Sequence, residues 1–401
     1  MPAELTRGHP AAISAIRAMI ATPRVPHAIL IGGPPGVGKT TLALDLAAGL
    51  LCDAPNLADR PCRACRGCRL VDNDRHADLH RIAPSGPGNQ IKIGTRDAPE
   101  PGTVRRLVAD FVLMPVEGGA RVAVVERADR MNEDGQTALL KTLEEPPAGV
   151  TIVLCADREE QLLPTVQSRC VRIRLGPVGT RDIETILSEQ GIADPPTAAR
   201  LARLSGGRPG LARAWALAPA GLLARDEIAR TLLDLLDAGP ARRLTVARDL
   251  LVRAGEVARE LDRAGSWASG TAPDTKRPKR PGRNASPQLQ DPSTADDEAD
   301  PEEARETKPQ AAERRRALTV LVEIWRDLAR DLALVRGDER LVRDPGLLDD
   351  LRAAATGLPA EAIVDFLERL DRTAELIEAN VSPELALDVL AVGWPHRRAV
   401  A

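Results

Sequence analysis

The stretch from residue 28 to residue 51 constrains the fold of this chain more than any other part of the sequence. The apolar run Ala28–Ile31 is followed by Gly33-Pro-Pro-Gly36-Val-Gly38-Lys39-Thr40, and a stretch with a helical pattern then continues from Thr40 to Leu51. This order fits the pattern G-x-x-x-x-G-K-[ST] in full, with the strand before it and the helix after it that the pattern requires. The sequence therefore predicts a strand, a phosphate-binding loop and a helix, which together form one unit of an α/β fold.

The residue types of this loop suit the binding of nucleotide phosphates. Its glycines allow backbone N–H groups to turn toward the phosphates, where the N-terminus of the following helix adds a positive potential. Lys39 can reach the outer phosphates, and the hydroxyl of Thr40 can bind Mg²⁺. The pattern predicts ATP with Mg²⁺ as the ligand, although a loop that has lost nucleotide binding would keep the same pattern. The candidate nucleotide-binding residues are Gly33, Gly36, Gly38, Lys39, Thr40 and Thr41.

Short aliphatic runs alternate with amphipathic stretches throughout residues 1–176. Continuous apolar runs interleaved with helices are typical of a parallel sheet covered on both faces. Residues 177–218 have a wholly helical pattern that predicts a lid, and helical periodicity also dominates residues 219–401. From about residue 265 to residue 310 the chain is rich in Pro, Ser and charged residues, so we expect a disordered linker there. The aliphatic runs are Ala28–Ile31, Leu79–Ala83, Val122–Val125, Val150–Cys155 and Val171–Leu175.

Composition argues against two common modes of nucleic-acid binding. The 401 residues carry a net charge of −3, which does not favour binding through bulk positive charge. The chain has no Tyr, two Phe and four Trp, so the stacking of bases on aromatic side chains is not expected either. No apolar run is long enough to span a membrane. The start of the sequence lacks the apolar core of a signal peptide, so we expect a cytoplasmic protein.

Four of the six cysteines lie close together in the sequence. Two overlapping C-x₂-C units and a further thiol within reach suit a tetrahedral Zn²⁺ site without an open position, which is structural and not catalytic. An iron–sulfur cluster is the alternative. Cys155 and Cys170 lie on or beside aliphatic runs, so we expect them to be small core residues. The four candidate metal ligands are Cys52, Cys62, Cys65 and Cys68.

The strand expected at Val122–Val125 ends in a pair of residues that departs from the pattern of an ATP-hydrolysing enzyme. Hydrolysis needs a carboxylate that holds Mg²⁺ at this strand end and a neighbouring residue that orients water. Here the pair is Glu126-Arg127. Glu126 can hold the ion through a water molecule. Arg127 stays protonated and only donates hydrogen bonds, so the pair lacks the group that would orient the attacking water.

Two further motifs follow the phosphate loop and the cysteine cluster. The run Ala138–Pro147 reads ALLKTLEEPP, and Ser168–Cys170 reads SRC. In this order the motifs resemble the clamp-loader branch of the AAA+ superfamily, and within it the delta-prime subunit family of bacterial DNA polymerase III. The resemblance covers about residues 9–215. It implies an α/β AAA+ core, in which the phosphate loop adjoins a parallel sheet that lies between helices. A zinc module is inserted into this core at residues 52–68. The core is followed by a helical lid and then by an all-α collar domain.

Three positions separate this chain from the ATP-hydrolysing gamma/tau motor subunits, which share the cysteine cluster and the Ser-Arg-Cys motif. By resemblance, the motor's Asp-Glu pair corresponds to Glu126-Arg127, its first-sensor threonine to Ala156 and its second-sensor arginine to Gly210. The resemblance therefore implies a subunit without ATPase activity of its own. The alternatives are an ATP-hydrolysing gamma/tau motor subunit of the same complex and a stand-alone AAA+ ATPase of DNA repair or recombination.

The resemblance also implies a role for Arg169 and a set of partners. Arg169 would be an arginine finger supplied to the ATP of a neighbouring subunit, because a bidentate guanidinium suits a γ-phosphate. A surface arginine without such a role is the alternative. The implied assembly is a hetero-oligomer of this chain with gamma/tau and delta subunits. That assembly is a component of the DNA polymerase III holoenzyme, and it loads the sliding clamp onto primed DNA during replication.

Overall fold

The computed structural model describes residues 3–22, 25–86, 89–112, 114–117, 119–268, 301–378 and 381–397. The chain folds into two units. The first comprises Met1–Pro219 and Arg340–Leu348, and the second comprises Ala220–Glu339 and Asp349–Ala401. The finer domain limits expected from the sequence, at residues 176 and 218, stay predictions.

A parallel sheet lies in the first unit. Its strands are β1 (Ala28–Gly32), β2 (Leu79–Ile82), β3 (Arg121–Val125), β4 (Val150–Ala156) and β5 (Val171–Arg174). They are arranged in the order β2-β3-β4-β1-β5, and each neighbouring pair is parallel. Every residue of β1, β3 and β4 is buried, as expected for central strands covered on both faces, whereas the edge strand β5 buries only Ile173. Each predicted aliphatic run overlaps one strand, so the expected α/β fold is confirmed.

Helices cover this sheet and extend beyond it. Those of the first unit are α1 (Pro10–Ile20), α2 (Lys39–Leu50), α3 (Arg66–Asp72), α4 (Val104–Phe111), α5 (Glu133–Glu144), α6 (Pro164–Gln167), α7 (Thr180–Glu189), α8 (Pro195–Leu204) and α9 (Pro209–Leu217). Side-chain caps begin two of the helices that pack on the sheet. Thr103 accepts from the N–H of Arg106 at the start of α4, and Asn132 accepts from the N–H of Gly135 at the start of α5. Leu107 and other apolar residues of these helices then join the buried core over the sheet.

The carboxyl ends of three strands meet at one edge of the sheet. Gly32, the last residue of β1, pairs in register with Ala156, the last residue of β4. Val125, the last residue of β3, pairs with Leu154, which lies two residues before the end of β4. The phosphate loop follows β1 directly, Glu126 follows β3, and Asp157 follows β4. Because parallel strands end together, these three parts of the sequence lie side by side, which is where open α/β sheets bind ligands.

The predicted lid region contains α7, α8 and α9. The N-terminal end of α9 contacts the phosphate loop, because the N–H of Gly210 donates to the carbonyl of Gly36 at 2.9 Å. Arg200 of α8 donates to both carboxylate oxygens of Asp344, each at 3.1 Å. This bidentate pair attaches the segment Arg340–Leu348 to the first unit, although the segment lies within the region 219–401 that the sequence assigned to the collar.

The second unit is built from long helices. They are α10 (Pro219–Asp234), α11 (Pro240–Ala268), α12 (Pro301–Leu334), α13 (Leu348–Ala355), α14 (Ala360–Glu378) and α15 (Pro383–Gly393). Trp325, Phe366 and Trp394 form an aromatic cluster in its core, with ring centroids between 4.7 and 5.5 Å apart. The buried Arg243 donates to the carbonyls of Leu235 at 3.0 Å and Pro395 at 2.8 Å. Its charge is thus surrounded by backbone acceptors at the helix ends, as a buried guanidinium requires.

The linker expected at about residues 265–310 is described only at its two ends. α11 extends to Ala268 and α12 begins at Pro301, so both ends of the expected disordered segment are helical. Residues 269–300 lie outside the described residues. Within the described part of the chain, no helix is both long enough and apolar enough to cross a membrane.

Candidate functional site

The phosphate loop lies between β1 and α2, and its conformation depends on glycine. Gly36 and Gly38 have φ angles of 77° and 109°, which residues with a Cβ rarely adopt. Gly38 is the N-cap of α2, so the loop leads directly into the N-terminus of that helix at Lys39. At Gly33 a Cβ atom would lie 2.4 Å from the carbonyl oxygen of Leu175. The predicted loop geometry therefore requires these glycines whether or not a nucleotide binds.

The ammonium group of Lys39 is surrounded by acceptors from the chain itself. It donates to the carbonyl oxygen of Gly33 at 2.7 Å and to that of Pro34 at 2.8 Å. The same nitrogen lies 2.6 Å from Oδ1 of Asp157. The side chains of Lys39 and Asp157 are only 7% and 16% exposed. Because an ammonium group has three N–H donors, these three acceptors satisfy it without a phosphate.

Asp157 is the residue at this site that the sequence analysis missed. Its N–H donates to Oδ1 of Asp129 at 2.8 Å, and its Oδ2 lies 3.4 Å from Nε of Arg127. The carboxylate of Asp157 is thus placed between two cations, Lys39 and Arg127. Burial raises the pKa of Asp129, and the negative charge of Asp157 acts in the same direction. The one available signal was position, since Asp157 directly follows a buried parallel strand.

Glu126, the predicted candidate for holding Mg²⁺ through water, is paired with an arginine. Nε of Arg81 donates to Oε1 of Glu126 at 3.1 Å, and a second N–H of the same guanidinium donates to the same oxygen. Arg81 also lies 3.2 Å from a carboxylate oxygen of Asp74. Thr40 and Thr41, the other predicted residues of the nucleotide site, lie in the first turn of α2. The strand-end carboxylate of Glu126 is therefore already paired with a cation of the chain.

The two positions expected to lack the sensors of a motor subunit are both small and closely packed. Ala156 is fully buried at the end of β4. A Cβ atom at Gly210 would lie 3.1 Å from the carbonyl oxygen of Gly36, the same oxygen that accepts from the N–H of Gly210. This distance is shorter than most van der Waals contacts of a Cβ atom, so glycine allows α9 to approach the phosphate loop this closely.

The four clustered cysteines come together in space, and their thiols fit a tetrahedral metal ion. Their sulfur atoms all lie within 4.8 Å of one another. Cys52 is 3.5 Å from Cys62 and 3.8 Å from Cys65, measured between sulfurs. Four thiolates about 2.3 Å from a Zn²⁺ ion would be separated by about 3.8 Å. Hydrogen bonds from the N–H groups of Ala64 and Cys65 lower the pKa of Cys62 to about 6, whereas burial raises the pKa of Cys68.

Arg63 attaches this cysteine module to the rest of the first unit. Its guanidinium is paired with Asp45 of α2 and with Asp72 of α3, and its Nε donates to the carbonyl of Ala3 at 3.2 Å. Asp45 is fully buried and also accepts from the N–H groups at positions 5 and 6. The module is therefore joined to the helix that follows the phosphate loop. Sequence reasoning gave no sign of this pairing, because Arg63 is one of many arginines.

Arg169 lies at the surface beside the end of α6. One terminal nitrogen donates to the carbonyl of Thr165 at 2.8 Å, and the other donates to Oε1 of Glu144 at 2.6 Å. Its side chain is 34% exposed. The neighbouring Cys170 is partly buried and packs against the core over the sheet. Cys155 is buried within β4. The guanidinium is thus oriented by two contacts and still accessible from outside the unit.

Residues 8–179 match the family model described as "DNA polymerase III, delta subunit". This range contains the sheet, the phosphate loop, the cysteine cluster and Arg169. Over these residues the chain is similar to subunits of the DNA polymerase III clamp loader. The resemblance drawn from the sequence motifs is thereby confirmed. Among solved structures, the chain is similar to a DNA polymerase III gamma subunit-related protein from Thermotoga maritima, with 17% identity, coverage of 96% of this chain and 100% of that chain, and a TM-score of 0.39.

Curated relatives in the clamp-loader family include more than one kind of subunit. The chain is 35% identical over 186 residues to DNA polymerase III subunit delta-prime of Pseudomonas aeruginosa, covering 46% of this chain and 53% of the relative. It is 35% identical over 188 residues to subunit delta-prime of Escherichia coli, covering 47% and 54%. It is also 33% identical over 182 residues to subunit tau of Salmonella typhimurium, covering 44% and 26%. The chain thus spans about half the length of the delta-prime relatives it matches, and identity alone does not separate delta-prime from tau.

Proposed function

We propose that this chain is a delta-prime type subunit of a DNA polymerase III clamp loader that does not hydrolyse ATP itself. In this role it stands beside an ATP-hydrolysing gamma/tau subunit, supplies Arg169 to that subunit's ATP, and helps the complex place the sliding clamp on primed DNA during replication. The observation that carries the proposal is the group formed by Lys39, Asp157 and Arg127 at the sheet edge, where an ATPase of this fold holds its phosphates and attacking water.

At that edge of the sheet, each group that ATP hydrolysis requires is either already paired within the chain or replaced by a residue of another type. Binding the outer phosphates needs the ammonium of Lys39, whose three donors already have acceptors in the chain. Holding Mg²⁺ needs a carboxylate, and that of Glu126 is paired with Arg81. Orienting water needs an acceptor, whereas Arg127 only donates and lies beside Asp157. The proposal follows from the three contacts together, since any one of them could be tolerated in an active enzyme.

The lid region supports the same conclusion. In a motor subunit, an arginine from the lid contacts the bound nucleotide, and by resemblance this position is Gly210. Here the backbone of Gly210 rests on the carbonyl of Gly36 in the phosphate loop at 2.9 Å. No side chain is present at position 210 to reach a γ-phosphate, so this position cannot contribute the positive charge that stabilises a departing phosphoryl group.

The geometry of Arg169 suits an arginine finger supplied to a neighbour. Two of its five N–H donors are used by Thr165 and Glu144, and these bonds fix the plane of the guanidinium. The exposed part of the side chain can then present further donors to a γ-phosphate bound on the next subunit. Fingers of this kind contribute roughly 10³–10⁵ to a hydrolysis rate. A subunit without its own turnover can therefore control the turnover of its neighbour.

We assign a structural Zn²⁺ ion to Cys52, Cys62, Cys65 and Cys68. Thiolates are the ligands that zinc and iron–sulfur clusters prefer, and four thiols around one point leave no open position for chemistry. When bound, the ion would contribute folding free energy to a module that has few apolar residues of its own. The role of this module in the proposal is to keep a rigid shape next to α2.

An ATP-hydrolysing gamma/tau subunit is the second candidate function. It is favoured by the complete phosphate loop and by the similarity to subunit tau. The ATPase activity of the purified chain distinguishes the two proposals. Turnover by the chain alone that disappears in Lys39→Ala would favour the motor, and absence of turnover in both proteins is what the delta-prime proposal expects.

The decisive experiment is reconstitution of the loader with gamma/tau and delta subunits. We expect the wild-type chain and Arg169→Ala to assemble equally well, and we expect the variant complex to hydrolyse ATP more slowly. Arg172→Ala is the matched control, because Arg172 is an exposed arginine of the adjacent edge strand that bonds to Gln167 at 3.2 Å. Failure to co-purify with the other subunits would contradict membership of the complex. Normal turnover by the Arg169→Ala complex would contradict the finger role.

A further inference from the structure

The phosphate loop of this chain already contacts an anion, and that anion belongs to the chain. Oδ1 of Asp157 lies 2.6 Å from Nζ of Lys39, a distance typical of a strong charge-assisted hydrogen bond. A nucleotide phosphate oxygen would have to approach the same nitrogen in order to be bound by Lys39. The carboxylate of Asp157 and an outer phosphate therefore compete for one ammonium group.

The surroundings of Asp157 fix its carboxylate in this position. Its backbone N–H is bonded to Asp129, and its second carboxylate oxygen faces Arg127 at 3.4 Å. Asp157 also directly follows the fully buried strand β4, so its backbone has little freedom to move away. A rotation of the side chain away from Lys39 would break an ion pair whose members are 7% and 16% exposed. Such a pair is less screened by water than one at an open surface.

We propose that Asp157 is an intramolecular competitor of nucleoside triphosphates at the phosphate loop. The carboxylate pairs with Lys39 and so reduces the affinity of a loop that has every residue of the ATP-binding pattern. When a triphosphate enters, it must replace Asp157 at the ammonium group, and the displaced carboxylate then lies close to the negatively charged phosphates. Both the lost ion pair and the like-charge repulsion weaken binding.

This inference deepens the proposed function and rests on the same ion pair of Lys39 and Asp157, because it names the group that lowers the affinity of a complete phosphate loop for ATP. It does not involve Arg169. Replacing one carboxylate, without any change in the loop itself, should make the loop bind nucleotide.

The test is calorimetric titration of the purified full chain with ATP and Mg²⁺. Asp157→Asn keeps the size of the side chain and removes its charge, and we expect it to lower the Kd for ATP by about tenfold or more. Asp157→Ser removes the carboxylate in a different way and should have the same effect. Glu160→Gln is the matched control, since Glu160 is an exposed acid three residues further along and should leave the Kd unchanged.

Two further measurements make the result unambiguous. The double variant Lys39→Ala with Asp157→Asn should lose the added affinity, because the gain depends on the freed ammonium group. Melting curves identify any variant that fails to fold, and the serine variant then replaces the asparagine variant as the deciding protein. Equal or weaker ATP binding by folded Asp157→Asn or Asp157→Ser would overturn the proposal. This readout needs no partner, so it is independent of the outcome with Arg169→Ala.

Discussion

The guanidinium of Arg169 donates to Oε1 of Glu144 at 2.6 Å. The two residues belong to the two motifs that follow the cysteine cluster in the sequence, the run Ala138–Pro147 and the Ser-Arg-Cys motif. Glu144 is the last residue of α5, and Arg169 lies just after α6, which packs near α5. The pairing shows that two motifs separated along the chain are in direct contact in the fold, and we propose that Glu144 positions the proposed finger.

We expect Glu144→Ala to lower the ATPase activity of a reconstituted loader by less than Arg169→Ala does. The two side chains are 34% and 48% exposed, so their pairing contributes only about 0–1 kcal/mol to stability. The bond from Arg169 to Thr165 remains and keeps part of the orientation. Steady-state ATPase rates of the two variant complexes check this expectation. Equal losses would contradict this expectation and would show that the bond to Thr165 alone does not orient Arg169.

The cysteine cluster predicts one Zn²⁺ ion per chain and a large effect of its removal. Metal analysis of the purified protein should find zinc and no iron. Cys65→Ser should lower both the zinc content and the melting temperature, because a lost ligand removes much of the metal's contribution to folding. Cys170→Ser is the control, since Cys170 lies outside the cluster and its thiol donates to a backbone carbonyl, as a hydroxyl also can. A metal-free or iron-containing wild type would contradict the zinc assignment.

Arg63→Ala should destabilise the first unit much more than Arg66→Ala. Removing Arg63 leaves Asp45 fully buried with only its bonds to the N-terminal segment, and the loss of one partner of a buried ion pair costs about 3 kcal/mol. Arg66 pairs with Glu117 at the surface, where its side chain is 70% exposed, so its removal should change stability little. Urea unfolding of the two variants provides the comparison. Similar midpoints would show that Asp45 does not depend on Arg63.

Gly210→Ala should destabilise the protein, whereas Gly176→Ala should not. The new methyl group at position 210 would lie 3.1 Å from the carbonyl oxygen of Gly36, and the resulting shift of α9 should cost about 1–2 kcal/mol. At Gly176 a Cβ atom would have no neighbour within 4 Å. Melting temperatures of the two variants test the close approach of the lid to the phosphate loop. A melting temperature of Gly210→Ala equal to that of the wild type would mean that the approach is looser than described.

Asp129 makes stability depend on pH in a predictable direction. Burial raises the pKa of its carboxyl above the ordinary value of 3.8. The folded state therefore holds this proton more tightly than the unfolded state, and the stability it contributes is present below that value and is lost as the pH rises through the raised pKa. Asp129→Asn removes this loss and keeps an oxygen that can accept from the N–H of Asp157.

The free energies of unfolding of wild type and Asp129→Asn should thus diverge as the pH rises above 3.8, the ordinary pKa of the carboxyl, with the variant gaining relative to the wild type. Comparing the two proteins cancels the other titrating groups, because both contain them. A difference that stays constant with pH, or that moves in favour of the wild type, would show that Asp129 ionises as easily in the folded state as in the unfolded one.

Most of the sheet could be predicted because its strands are defined locally. Runs such as Val150–Cys155 contain only residues that favour a buried strand, and Gly36 and Gly38 stand where the loop needs positive φ angles. The cysteine cluster was predictable for the same reason, since its four thiols lie within one short segment. In each case the chemistry is carried by residues that are close in sequence, so spacing and residue type are sufficient to identify it.

The sequence by itself determined the α/β class, the phosphate loop, the cysteine module and the resemblance to clamp-loader subunits. Only the tertiary structure decided what those parts contact: Lys39 is paired with Asp157, Arg63 with Asp45, and Arg169 with Glu144. The physical reason is that an ion pair depends on distance and burial in three dimensions. Many acids and arginines in this chain could form such pairs, and the packing of strands and helices selects which of them meet.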